Sequence, residues 1–296
     1  MEIVVNCFEA LRQRVPSLKA QSPWLRVFVE CVMIVGSILL VFATPCTASQ
    51  VQEIFPYELD QRLDVGLTAG GVALFAGAAA AYWGQEPLTV GEIEPLIPAD
   101  INGFDRSATT QWSPTAGDVS HALVLTLMAA PLGLAIATPG SRQSWTVAAL
   151  YGEVLLVGNG LGELLNGVMN RTRPFVYNDD PDIPGEVRFE VDARRSFPSG
   201  HTANAFAAAV FLNSVYAKLH PGSSATWMWA GSLTLAATTG YVRYQGGKHY
   251  PTDIISGAII GSLVGWGVPK LHEVDDVNLM ITPSGDGIAI GLMLRH

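Results

Sequence analysis

The sequence predicts an all-α fold: a bundle of six core helices embedded in a membrane, followed by a short C-terminal β-hairpin-like tail. Three observations carry that reading. Of 296 residues, 49% are apolar and only 15% charged, against roughly 25% charged in an ordinary soluble domain. Six apolar segments of 15 to 24 residues, rich in Ala, Leu, Gly and Val, lie between clusters of Pro, Gly or charged residues. Inside them no period-2 alternation appears, which argues for helices rather than strands.

The first 48 residues read as an export leader. Arg12, Arg14, Lys19 and Arg26 precede an apolar run from Val27 to Ala43, and Cys46-Thr47-Ala48 offers small residues before a cleavage point. The basic flank is expected to stay cytoplasmic. The segment is either a cleaved signal peptide or an uncleaved signal anchor, which divides the chain into a leader (1–48), a helical domain (49–270) and a tail (271–296). All three cysteines, Cys7, Cys31 and Cys46, fall in the leader. A mature chain would then have no disulfide, thiol nucleophile or Cys-ligated metal. Residues 1–48 hold four basic and three acidic side chains, so their removal leaves 13 basic against 23 acidic, a net charge of −10. The whole chain stands at −9 with no basic run, which sets nucleic acid aside as a partner.

The apolar segments run Val65–Trp83, Val119–Thr138, Trp145–Val168, Thr202–Leu219, Trp227–Tyr241 and Ile254–Val268. The first two are long and uncharged enough to span a bilayer, and the later ones are shorter or interrupted. Trp145–Val168 carries Glu153, Asn159, Glu163 and Asn166, which must point into a bundle or a wet cavity rather than into lipid. Two long polar connections, Gly84–Asp118 and Asn170–Pro198, are candidates for functional loops. The first is acidic, with Asn102-Gly103-Phe104-Asp105-Arg106 in its middle, and the second carries five arginines. Beyond Lys270, Leu279–Thr282 and Ile288–Leu294 flank Pro-Ser-Gly-Asp-Gly, the pattern of a small hairpin.

Three clusters carry chemistry. Arg171-Thr172-Arg173-Pro174 follows a helix. Pro198-Ser199-Gly200-His201 opens the next one, where free backbone N–H groups form an anion site, Gly200 lets a ligand approach and Ser199 adds a donor. His201 stands over the same spot, placed to give a proton to a leaving oxygen. Read alone, this tetrapeptide is better explained as an N-cap serine followed by a surface histidine. In the third cluster Arg243 precedes His249 by six residues, and Asp253 follows four later with Pro251 between. Proline favours the first helical turn, so the spacing allows the Asp253 carboxylate to hold one imidazole nitrogen and leave the other as a nucleophile. Arg243 offers a planar fork for phosphate oxygens. One His and one Asp are too few for a metal site.

Taken in order, Arg-Pro, Pro-Ser-Gly-His and Arg-x5-His-x3-Asp resemble the signature of the type 2 phosphatidic acid phosphatase superfamily, which includes class A acid phosphatases, lipid phosphate phosphatases and vanadium haloperoxidases. The resemblance covers about residues 65–270. It implies the six-helix bundle of that superfamily and a metal-independent phosphatase without cofactor. Its substrate would be a phosphomonoester or diphosphate, of a lipid by preference. The resemblance implies that His249 attacks phosphorus to form a phosphohistidine, that Asp253 orients it, and that His201 protonates the leaving alcohol and later activates water. Arg173, Arg243, Ser199 and Gly200 would hold the phosphate oxygens, with both imidazoles open to an aqueous cavity. The family usually places a lysine seven residues before the Arg of Arg-Pro, and here that residue is Asn166. A neutral amide donates but brings no charge, which weakens the case for a haloperoxidase. Asn166 and Arg171 are therefore further candidates for the phosphate site. Serine commonly precedes the arginine of the third block, and here it is Val242.

The remaining histidines, His121, His220, His272 and His296, match no motif and read as surface or packing residues. The alternatives are a soluble periplasmic acid phosphatase of broad specificity, or an inactive membrane or binding protein that keeps the fold. The expected location is the inner membrane or periplasm, with the active site on the periplasmic side. If Val27–Ala43 crosses outward and all six later segments span, however, the motif loops land in the cytoplasm together with the acidic loop Gly84–Asp118. That opposes the usual excess of positive charge inside. Either one segment does not cross, or the mature protein is not fully embedded.

Overall fold

Four of the six long helices among the described residues begin on a capping side chain or with a proline in the first turn. The computed structural model describes residues 55–274 with their side chains, and the backbone of two further strands. The expected leader, with its cysteines and Val27–Ala43, lies outside the described residues, as does His296. Helix α1 (Gln61–Tyr82) is capped by Asp60, which accepts from the N–H groups of Arg62 and Leu63. Helix α2 (Pro114–Ala137) has Ser113 as its cap and proline at its first position. Helix α3 (Ser141–Met169) ends on Asn170, which adopts the left-handed conformation at φ 44° and returns its N–H to Asn166. Helices α4 (Gly200–Leu219), α5 (Thr226–Gln245) and α6 (Pro251–Leu271) complete the bundle. Strands β1 (Val277–Ser284) and β2 (Gly287–Leu294) pair antiparallel, with Val277 opposite Leu294 and Ser284 opposite Gly287.

Helix α4 is the axis of the bundle and packs against α2, α3, α5 and α6. Its Ala205, Ala207, Ala208 and Ala209 are buried with Phe211 and Val215. The tightest seam lies between α4 and α6. Gly257, Gly261 and Gly265 recur every four residues, one turn apart, and each faces the backbone of α4. A Cβ at Gly261 would stand 2.1 Å from the Ala203 carbonyl oxygen, and one at Gly265 would stand 2.4 Å from that of Ala207. Any side chain there would force the helices apart. Peripheral α1, which buries only Gly71 and Ala78, packs along α3.

The outward faces are apolar. On α6, Ile255, Ile259, Leu263 and Trp266 form an exposed stripe. Trp83 is 90% exposed at one end of the bundle, and Trp145 and Trp227 are 74% and 83% exposed at the other. Tryptophans at both ends of an apolar belt mark the two water interfaces of a membrane. By length and composition four segments suffice to cross one: Gln61–Tyr82, Pro114–Ala137, Ser141–Tyr177 and Pro251–Leu271. That adds the third and sixth helices to the two expected from sequence. As expected, the polar side chains of α3 turn inward. Glu153 and Asn166 are buried, Asn159 pairs with Asn204, and Glu163 accepts from Tyr82 Oη at 2.8 Å.

Because the helices alternate, one end of the bundle collects the loops 83–113, 170–199 and 246–250, and all three motif blocks lie in these loops or in the helix turns that adjoin them. The other end collects the turns 138–140 and 220–225 and the start of the tail.

Candidate active site

His249 lies in the short loop between α5 and α6, one residue ahead of the helix cap Tyr250. Its Nδ1 is 2.7 Å from the main-chain carbonyl of Ser196. A carbonyl only accepts, so Nδ1 carries the hydrogen and Nε2 keeps its lone pair. That nitrogen faces two guanidinium groups, Arg243 Nη2 at 3.2 Å and Arg173 Nη1 at 3.4 Å. The ring is 2% exposed, which corrects the expectation of an imidazole open to water. Burial first, and then the charges of Arg173 and Arg243, hold its pKa well below the usual value, so the imidazole is neutral.

The expected contact between Asp253 and His249 does not form. Asp253 Oδ2 stands 3.9 Å from His249 Nδ1. That oxygen instead accepts from Ser196 Oγ at 2.6 Å and from the Tyr250 N–H at 2.9 Å. The carboxylate thus fixes the two residues on either side of the imidazole. Ser196, which sequence reasoning passed over, supplies the direct contact through its backbone.

Arg171 also departs from expectation. It spans two buried carboxylates, Asp253 at 2.5 Å and Asp105 at 2.8 Å, donates to Thr252 Oγ1, and stacks over the Tyr250 ring. Asp105 in turn accepts from the Thr252 N–H and hydroxyl and from Asn102. These bonds draw the acidic loop of residues 84–118 onto the first turn of α6. They engage Arg171 as a strut between the two elements. Asn166 is buried and donates to the Gly162 and Pro198 carbonyls, so it ties α3 to the segment that opens α4.

Arg173 is held from behind by Asp192, through both its carboxylate at 2.9 Å and its carbonyl at 2.8 Å. Burial would raise the Asp192 pKa, but Arg173 and then Lys248 hold it below the usual carboxylate range. The buried Nε of Arg243 has no hydrogen-bond partner among the described residues, a donor left for a ligand. Lys248 lies over the rings of Phe175 (4.6 Å) and Trp112 (5.1 Å). Burial and the neighbouring Arg173 and Arg243 push its pKa down to about 8. Asp192 and Lys248 belonged to no motif; Lys248 is next to His249 in sequence, and nothing local pointed to Asp192.

Ser199 caps α4, and its Oγ meets Thr202 Oγ1 at 2.9 Å. Gly200 is the first residue of that helix, and a Cβ there would meet nothing within 4 Å, so the backbone is open on that side. His201 is partly exposed, and its Nε2 meets His121 Nδ1 at 2.9 Å. His121 comes from α2, and the sequence offered no sign of the pairing. Of the other unassigned histidines, His220 is exposed against Tyr216, while His272 is buried against Asp64 and Glu153 at the far end. The structure thus brings His249, Arg173 and Arg243 into one buried cluster, with His201 in electrostatic reach of all three.

Comparison with known proteins shows which family this chain resembles. Residues 147–275 match the PAP2 superfamily. The lipid A 1-phosphatase of Porphyromonas gingivalis is 34% identical over 126 residues, 43% of this chain and 24% of that protein. The lipid A 4′-phosphatase of Bacteroides thetaiotaomicron is 35% identical over 132 residues, 41% of this chain and 54% of that protein. The decaprenylphosphoryl-5-phosphoribose phosphatase of Mycobacterium tuberculosis is 30% identical over 175 residues, 59% of this chain and 87% of that protein. The chain thus spans a quarter to about half the length of the first two relatives, and most of the third.

Proposed function

Because the chain belongs to the PAP2 superfamily, we propose that it is a phosphatase that removes phosphate from a lipid phosphomonoester or diphosphate through a phosphohistidine on His249. The observation that carries the proposal is the His249 ring, with Nδ1–H on the Ser196 carbonyl and Nε2 directed at Arg173 and Arg243. A neutral imidazole facing two guanidinium groups is suited to attack an anion that those cations bind. The lone pair of Nε2 forms the P–N bond as the P–O bond to the leaving group breaks, and His201 gives that oxygen its proton. Water then attacks the phosphohistidine with His201 as base, and inorganic phosphate leaves. Arg173, Arg243 and the N–H groups at the start of α4 hold the equatorial oxygens, a task that metal ions perform in other phosphoryl-transfer enzymes. The hydrogen bond to His121 lets His201 exchange its proton with a second ring at the mouth of the site. Ser199 and Asp253 position the groups around them.

The named activities of the relatives, on lipid A and on a decaprenyl phosphosugar, support a lipid substrate, as does the apolar belt below the site. We propose the periplasmic face for the site, an assignment opposed by the arginines gathered in the loop of residues 170–199 at this end of the bundle. If all six helices cross, the turn 138–140 lies on the cytoplasmic face, which a single outward crossing by Val27–Ala43 would not allow. A reporter fused in that turn reads the orientation directly: cytoplasmic fluorescence is expected, and periplasmic reporter activity would reverse the assignment. The chemistry is tested by turnover of a ³²P-labelled lipid phosphomonoester quenched with alkaline detergent. Label stable to base and lost in acid should appear on His249. Turnover without any labelled protein, in wild type and in His201→Ala, would reject the covalent step.

A further inference from the structure

At the end of the bundle away from the active site, three side chains converge that no part of the phosphatase chemistry uses. Asp64 comes from the first turn of α1, Glu153 from the middle of α3, and His272 from the C-terminal cap of α6. Their ligand atoms all lie within 4.8 Å of one another. The His272 side chain is fully buried, that of Glu153 is 10% exposed, and that of Asp64 is 28% exposed, leaving a path from solvent.

The hydrogen bonds around His272 leave an electrostatic gap. Its Nδ1 lies 2.9 Å from the Val268 carbonyl, which can only accept, so that nitrogen bears a hydrogen. In the neutral ring Nε2 is then a lone pair, and it faces Asp64 Oδ1 at 2.8 Å and Glu153 Oε2 at 3.4 Å. Glu153 Oε2 is buried and has no hydrogen-bond partner among the described residues. A single proton satisfies one contact and leaves the other carboxylate oxygen unpaired. A divalent cation satisfies all three at once. The atoms are already close to the spacing of about 3.4 Å between ligands set 2.0–2.2 Å from a tetrahedral zinc ion. The carbonyl behind Nδ1 is the usual partner of a metal-bound imidazole, where it fixes the tautomer.

We propose that Asp64, Glu153 and His272 form a structural site for a divalent cation of the zinc class, which fastens α1 to α3 and α6. The remaining coordination position, toward the exposed edge of Asp64, would be filled by water. The site also explains the local backbone join, where Glu58 N–H donates to the His272 carbonyl and Tyr57 bridges to Glu273. Peripheral α1 otherwise rests on α3, so a bond to the end of α6 closes the bundle.

The test uses the full-length protein in detergent, without an affinity tag and stripped with EDTA. Zn²⁺ titration is expected to show one equivalent bound and to raise the melting temperature by about 5 °C at a hundredfold excess over Kd. Co²⁺ is expected to give the visible absorption of a low-symmetry four- or five-coordinate ion. Glu153→Gln, a near-isosteric change, and His272→Ala should each abolish both signals. Turnover should be indifferent to chelation, because the length of α6 separates this cluster from His249 by about 30 Å. The absence of a Co²⁺ band and of a Zn²⁺ shift in wild type would overturn the proposal, leaving a protonated His272 between two carboxylates. Binding that survives both substitutions would overturn it as well. The readouts are independent of activity, so they hold whether or not the phosphatase assignment does.

Discussion

A histidine stands at each end of this bundle, and the two have opposite company. At one end Arg173, Arg243 and Lys248 gather about His249, with Asp192 as their nearby carboxylate. At the other, Asp64 and Glu153 gather about His272. Burying like charges together is costly, because each loses hydration and repels its neighbour. A fold keeps such a cluster when a ligand of the opposite sign completes it. The cationic end calls for an oxyanion and the anionic end for a metal cation, so one chain can hold a reaction site and a clasp built on the same ring.

The sharpest way to break the comparison is to remove the ring at the cationic end. His249→Ala should lower turnover of a lipid phosphomonoester by more than about a hundredfold, since a covalent nucleophile accounts for several kcal/mol. A normal melting curve would show that the loss is chemical. Removing one of the two cations facing that ring costs less. Arg243→Ala should lower kcat/KM by about ten- to a hundredfold, the worth of a charge-assisted hydrogen bond, and should weaken inhibition by vanadate to a similar degree.

Arg171→Ala separates a strut from a ligand. It leaves Asp105 and Asp253 facing each other without a cation, and is expected to cost about 2–4 kcal/mol of stability, less than for a fully buried pair because Arg171 is a quarter exposed. Vanadate affinity of the protein that remains folded should change little. A large loss of vanadate affinity at unchanged stability would return Arg171 to the phosphate site.

Lys248 gives a smaller, pH-dependent effect. Its pKa is lowered to about 8, so the ammonium is charged below that pH and neutral above it. Substrate attraction is therefore full below pH 8 and fades as pH rises through it. KM should climb a few-fold on that limb, and Lys248→Met should flatten it. The smallest change is expected from Asn166→Lys, where Asn166 donates to the Pro198 carbonyl. Because Arg171 is engaged elsewhere, a new cation meets no repulsion from it, and vanadate inhibition should tighten by less than about tenfold. No change would mean that the lysine stays on the Pro198 carbonyl.

Much of this was legible in the sequence, because helices announce themselves locally. All six apolar runs became helices, and their boundaries missed only the polar turns at the ends. Trp227–Tyr241 became Thr226–Gln245 and Ile254–Val268 became Pro251–Leu271, since Arg243 and Asp253 are helical but not apolar. The motif blocks brought Arg173, Arg243 and His249 together as expected. The i, i+4 spacing of His249 and Asp253 misled, because His249 precedes the helix cap and helical geometry does not extend to it. Ser196 acts through a carbonyl, which no side-chain pattern can reveal. Asp105, His121 and the trio at the far end are joined by contacts across 66 to 208 residues of sequence, where a single chain offers no local signal.

The glycine seam between α4 and α6 has a mechanical consequence. The seam sits directly below the site, since Gly257 abuts the Ser199 carbonyl and the Ser199 N–H donates to Asp253. Backbone pressed on backbone leaves no compressible side-chain layer, so the two helices behave as one beam. However the bilayer loads the peripheral helices, the beam keeps the start of α4 and the residues beside His249 in fixed alignment.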